Sequence, residues 1–173
     1  MNSINWARVM AQVVYYVTAH LEIAPDDSPV SYCVPTGNFG NVFAGWVAKR
    51  MGLPVDQLIV ASNRNDILTR FLESSVMEMR GVEPTLSPSM DIQVSSNFER
   101  LLYELLGRDG VAVAETMLRF RSEGRFTLER DLLGLLDEQW VGASIDDAAT
   151  TAIIAERYAA SGELIDPHTA VGL

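Results

Sequence analysis

Cysteine, histidine and lysine are nearly absent: the 173 residues contain one cysteine (Cys33), two histidines (His20 and His168) and one lysine (Lys49). A lone cysteine permits no internal disulfide. Cys33 lies in an apolar run and reads as a buried structural thiol of a protein in a reducing, cytoplasmic setting. Neither histidine has a cysteine, a carboxylate cluster or another histidine at ligand spacing, which argues against a metal site. Long apolar runs are missing too. No stretch approaches a membrane span, and the N-terminus lacks the basic, apolar and small-residue succession of a signal peptide. Positive charge is short, at 13 Lys+Arg against 23 Asp+Glu, for a formal net charge of −10. A nucleic-acid backbone or an anionic membrane would be repelled by such a surface, so small molecules are the expected partners.

What is present is a chain 48% hydrophobic, enough for one core and one domain over residues 1–173. Segment 4–21 repeats apolar residues at Trp6, Val9, Met10, Val13, Val14, Val17 and Leu21, one face of a helix, and a loop with Pro25, Asp26, Asp27 and Pro29 follows. Segment 30–35 reads as a strand, 39–50 as a helix closed by Gly52 and Pro54, and 58–62 (LIVAS) as a second buried strand. Strand, helix and strand make a β-α-β unit, hence an α/β fold of parallel strands with flanking helices and ligands at the strands' carboxyl ends. Beyond it the pattern predicts a short helix over 66–72 and a long loop to 95. Ser96-Asn97-Phe98-Glu99 has the spacing of a capping box opening a helix through Leu106. Further helices are predicted over 111–122, 128–138 and 147–160, with a short strand over 140–144.

The turn between the first strand and its helix is Pro35-Thr-Gly-Asn-Phe-Gly-Asn41. Glycine permits backbone conformations and close approaches that a Cβ forbids. A helix start leaves N–H groups without partners at the positive end of the macrodipole, so this turn can hold an anion. Equally, any strand-to-helix turn in an α/β protein favours Gly and Asn, and both readings stand on composition alone. The turn carries no basic side chain, so the backbone would do the holding, at roughly 0.3–1 kcal/mol and up to about 2 when partly buried. It matches neither G-x-G-x-x-G nor G-x-x-x-x-G-K-[ST].

Five stretches, taken in order, resemble the fold type II pyridoxal-phosphate enzymes and, within them, the threonine synthase family. They are Asn2-Ser-Ile-Asn-Trp-Ala-Arg8, Pro35-Thr-Gly-Asn-Phe-Gly-Asn41, Ala61-Ser-Asn-Arg-Asn-Asp66, Met90-Asp-Ile92 with Ser95-Ser-Asn-Phe-Glu-Arg100, and Asp166-Pro-His-Thr-Ala-Val171. The resemblance implies part of that enzyme's large domain, with the phosphate of pyridoxal 5'-phosphate on Gly37, Asn38, Phe39, Gly40 and Asn41. It also implies conversion of O-phospho-L-homoserine and water to L-threonine and phosphate. In the family, the Schiff-base lysine precedes the Asn-Ser-Ile-Asn motif, and a Ser or Thr facing the pyridine nitrogen follows Pro-His-Thr-Ala. Both positions fall outside this sequence. Lys49 lies nine residues past Gly40, about 13 Å down the helix and away from the cofactor ring, and reads as a solvated surface residue. The expectation is a central piece of a longer enzyme, inactive alone and completed by flanking segments. The alternative is a non-catalytic module that retains the phosphate cradle.

The resemblance places Ser3, Asn5 and His168 on the substrate side. Residue chemistry also allows Ser3 and Asn5 as helix caps and His168 as a hydrogen-bonded structural histidine. Asn63, Asn65 and Asp66 follow the second strand, where a crevice would bring them near ligand; Asn and Asp also serve turns and caps, and Asp66 reads foremost as a cap. The acidic positions between 129 and 138 read as a solvated helix face.

Overall fold

A computed structural model describes residues 5–134 and 139–173. Ser3, with the rest of residues 1–4, lies outside the described residues, as does the end of the expected 128–138 helix. The first helix, α1, runs Trp6–Ile23. Its inward face is Val9, Val13, Tyr16 and His20, which seat on the helix α2 (Gly40–Arg50). The wider expected stripe divides: Trp6, Met10, Val14 and Leu21 are exposed. One neighbouring helix covers only a narrow strip of another, and these four residues flank that strip.

Strand β1 (Val30–Pro35) pairs in parallel with β2 (Val55–Ser62), with Val34 opposite Val60 and Pro35 opposite Ala61. Strand β5 (Trp140–Ser144) joins the other side of β2, also in parallel, giving the sheet order β1-β2-β5. The expected β-α-β unit is therefore present, with its predicted third strand. Cys33 lies on the face of β1 opposite the buried Val34 and is exposed, not buried as its apolar run suggested. Partial burial still pushes its thiol up from the ordinary cysteine value.

Helix α3 (Ile67–Ser74) lies on β5, where a Cβ on Gly142 would come 2.8 Å from the Thr69 Cα. The segment expected as a plain loop contains strand β3 (Val76–Glu78) and a single 3-10 turn at Pro88–Met90. Helices α4 (Phe98–Leu105) and α5 (Gly110–Glu123) lead to β4 (Arg125–Thr127), which pairs antiparallel with β3. Helix α6 covers Arg130–Leu133; α7 (Asp147–Ser161) and α8 (Pro167–Val171) complete the described chain. The core carries a run of aromatic contacts: Phe39 stacks on Trp140 at 5.4 Å, and Phe98 meets both Phe39 at 5.6 Å and Phe71 at 4.9 Å edge-on. This run passes directly under the turn that joins β1 to α2.

Candidate anion-binding site

At the carboxyl end of β1 the Thr36 N–H donates to the Ala61 carbonyl at 2.8 Å, which ties the turn's entry to β2. Three residues later Phe39 takes a left-handed backbone, φ 65° and ψ −2°. For a bulky residue this costs on the order of 1–3 kcal/mol and persists only where surroundings over-determine it. Here they do so: the ring is buried between Trp140 and Phe98. Gly37 is required by the chain itself, since a Cβ there would come 2.6 Å from the Ser89 carbonyl oxygen.

Segment 95–97 holds the turn from the other side. The Ser95 hydroxyl donates to the Gly37 carbonyl at 2.9 Å, and the Ser96 hydroxyl to the Asn38 Oδ1 at 3.3 Å. The Asn38 carbonyl accepts twice from Asn97, from its Nδ2 at 2.9 Å and its backbone N–H at 3.1 Å. The expected capping box at Ser96 and Glu99 is therefore absent. Asn97 occupies the N-cap position of α4 without a side-chain cap bond, because these polar groups are directed at the turn.

With its carbonyls turned toward 95–97, the turn leaves its donors free. Among the described residues, the backbone N–H groups of residues 37–42 have no acceptor. They border a cavity of about 240 Å³ lined also by Gln12, Ser89 and His168; the buried Oε1 of Gln12 has no partner among the described residues. The cavity shares Pro35, Asn41, Ser89 and His168 with a wider cleft of about 520 Å³. Asn41 carries its own side chain to Tyr16, whose hydroxyl donates to the Asn41 Oδ1 at 2.6 Å. Burial, with Tyr32 alongside, pushes the Tyr16 phenol well above its ordinary value, which keeps it a neutral donor. The backbone donors of this arrangement can accept an anion.

The other candidates separate. His168 lines both spaces; its Nε2 accepts from the Ser89 N–H at 3.3 Å, and its Nδ1 lies 3.4 Å from the Asp166 Oδ1. Asn5 caps α1, with its Oδ1 accepting from the Ala7 N–H at 2.9 Å. Asn63 and Asn65 are buried and turn their amides to the loop 83–91: both Nδ2 groups donate to the Asp91 Oδ1 at 2.9 Å, and Asn65 also reaches the Glu83 carbonyl at 2.8 Å. They pin the loop that presents Ser89, and neither lines the cavity beside the turn. Asp66 stands at the N-cap of α3 but makes no cap bond; its carboxylate holds Arg70 at 2.8 Å. The Lys49 ammonium donates to the Asp56 carbonyl at 3.1 Å near the far end of α2, and the residue is half-buried, not fully solvated. Among the described residues no group of three His, Cys, Asp or Glu could hold a metal ion.

The sequence reading missed Ser95, Asn97, Gln12 and Trp140. The one available signal was Ser95-Ser-Asn97, three hydrogen-bonding side chains where a helix cap needs one.

A parallel sheet whose first strand runs through a glycine- and asparagine-rich turn into a helix opening on a cleft is the large-domain architecture of the fold type II pyridoxal-phosphate enzymes. No family model matches the chain, but individual relatives do. It is 51% identical to a threonine synthase of Pseudomonas aeruginosa, over all of this chain and 37% of that protein. A crystal structure described as pyridoxal-phosphate-bound threonine synthase from Brucella melitensis superposes with a TM-score of 0.95 at 53% identity, over 99% of this chain and 37% of that one. Threonine synthase from yeast superposes at 0.93 with 38% identity, again over 99% and 37%. The chain belongs to the threonine synthase family and spans little more than a third of the length of these relatives.

Proposed function

We propose that residues 37–41 hold the phosphate of pyridoxal phosphate, and that the chain forms the phosphate-holding part of a threonine synthase acting on O-phospho-L-homoserine. The observation that carries this reading is the run of acceptor-free N–H groups at the start of α2, beside a cavity, in a chain half identical to a threonine synthase. Such donors at the positive end of a helix fit a phosphate dianion.

When bound, the cofactor supplies the electron sink for loss of phosphate from the γ-carbon and addition of water at the β-carbon. This chain's own residues bind and orient. The turn fixes the phosphate, the Trp140–Phe39 stack fixes the turn, and Asn63 and Asn65 fix the loop that carries Ser89 against Gly37. His168, from the Pro-His-Thr segment, lines the same cavity as the turn, and this reading assigns it to the substrate side. Lys49 cannot serve as the cofactor's lysine: it lies about 13 Å along α2 from the cradle and is bonded to Asp56. Lys49 is the one lysine of the 173 residues, so this reading requires the cofactor's lysine to come from outside them.

The helix start contributes at most about 2 kcal/mol, whereas micromolar affinity needs roughly 8. By itself the chain holds the cofactor weakly and forms no threonine. The free, exposed Cys33 suits the reducing cytoplasm, and no described helix is long and apolar enough to cross a membrane. To test the proposal, the purified chain is mixed with pyridoxal phosphate and O-phosphohomoserine, reduced with borohydride and mapped by mass spectrometry. The expected result is no stoichiometric pyridoxyl label and no threonine. A stoichiometric label on Lys49, or turnover without an added chain, overturns the assignment.

A further inference from the structure

We propose that Asn97 is the positioning residue of the phosphate cradle: its side-chain amide, with its backbone N–H, grips the Asn38 carbonyl and so aims the N–H groups of the turn. The role assigned to the cradle rests on the reading above; the grip itself does not.

A peptide unit is planar, so fixing the Asn38 carbonyl fixes the Phe39 N–H on its other side. The Asn38 carbonyl takes both Asn97 donors, at 2.9 and 3.1 Å. Its neighbour, the Gly37 carbonyl, takes the Ser95 hydroxyl at 2.9 Å. Two successive peptide planes are thereby turned with their oxygens toward 95–97 and their nitrogens away from it, immediately before the left-handed Phe39. Asn97 is itself immobilised. It is 1% exposed, and its Oδ1 accepts from the Arg100 Nε at 3.0 Å, which orients the amide with Nδ2 toward Asn38. Arg100 in turn lies over the Trp6 ring at 5.3 Å. The grip thus links the first turn of α4 to the approach of α2 through a side chain that does not line the cavity beside the turn. Removal of the Nδ2 donor leaves the Asn38 carbonyl one bond and lets its peptide plane rotate.

Asn97→Asp tests this, because it preserves shape and the Arg100 contact while replacing the donor with an acceptor. A merely space-filling Asn97 would leave the 37–42 amides in place in both the Asp and the Ala variant. The ¹⁵N-labelled chain is compared with Asn97→Asp and Asn97→Ala, with Ser95→Ala as a milder variant should Asn97→Ala fail to fold. Two quantities are read: the amide resonances of residues 37–42 without ligand, and affinity for pyridoxal phosphate against pyridoxal, which lacks the phosphate. We expect Asn97→Asp to displace or broaden the 37–42 resonances while those of β2 stay in place. It should also weaken pyridoxal phosphate binding about tenfold and leave pyridoxal unchanged. Unaltered 37–42 resonances in both Asn97 variants overturn the grip. Displaced resonances in a chain whose unaltered form binds pyridoxal phosphate no better than pyridoxal uphold the grip and reject the cradle reading.

Discussion

Two kinds of helix start occur in this molecule. Helices α5, α7 and α8 each begin with an aspartate whose carboxylate takes up first-turn N–H groups: Asp109 accepts from Val111 and Ala112, Asp146 from Ala149, and Asp166 from His168 and Thr169. Helix α2 begins with Phe39, which has no polar side chain and a left-handed backbone. Helices α3 and α4 also lack a side-chain cap, but neither opens on a left-handed residue. An aspartate at the start of α2 would have satisfied the donors and occupied the place of an external anion. The difference separates starts closed by an aspartate from uncapped ones, of which, among the described residues, only α2 opens on a left-handed residue held by other means. Those means are aromatic packing below and the hydrogen bonds of 95–97 beside it.

The comparison breaks first if the aromatic support is dispensable. Trp140→Ala removes the ring on which Phe39 stacks, from a site 5% exposed, and should lower unfolding free energy by about 3–5 kcal/mol in urea denaturation. A loss below about 1 kcal/mol would show that Phe39 keeps its conformation without help.

Next in size, Gly40→Val introduces a β-branched side chain at the buried first residue of α2. Pyridoxal phosphate affinity should fall tenfold or more, about 1.4 kcal/mol, while Lys49→Ala leaves it unchanged. Equal affinity in the two variants would place the phosphate elsewhere.

At a closed start, Asp146→Ala should cost about 0.5–2 kcal/mol of stability with no change in that affinity, since its cap bond to Ala149 serves only α7. The smallest effect concerns acid. The Thr169 hydroxyl, followed by the Thr169 and His168 N–H groups, holds the Asp166 carboxyl below its ordinary 3.8. A depressed folded value means stability present above the ordinary value and lost as pH falls through the folded one. Asp166→Asn should therefore flatten the acid-unfolding curve below pH 3.8 and leave the neutral baseline slope alone.

How far the sequence led follows the physics of each element. β1, β2 and β5 were legible as short apolar segments bounded by turn residues, and α7 through its helical pattern. The strands β3 and β4 were not, because three residues are too short for alternation to show. Cys33 was misjudged because an apolar run does not reveal which face of its strand is covered. At the site, the turn itself stood out through Gly37, Asn38, Gly40 and Asn41. Its supports did not: Ser95, Asn97 and Trp140 lie more than fifty residues away along the chain, and only the fold brings them beneath it. Asn63 and Asn65 show the converse, a segment adjacent in pattern to a ligand crevice whose amides are taken by the loop ending at Asp91.

The open start of α2 is tested most directly by titrating the ¹⁵N-labelled chain with pyridoxal phosphate and following every backbone amide. The N–H groups of residues 37–42 have no internal acceptor, so their resonances should move furthest and in step, and pyridoxal without its phosphate should leave them in place. If the largest shifts instead fall on the arginine-lined cleft of Arg64, Arg70 and Arg80, or if pyridoxal moves 37–42 as far as pyridoxal phosphate does, the open helix start is not a phosphate cradle.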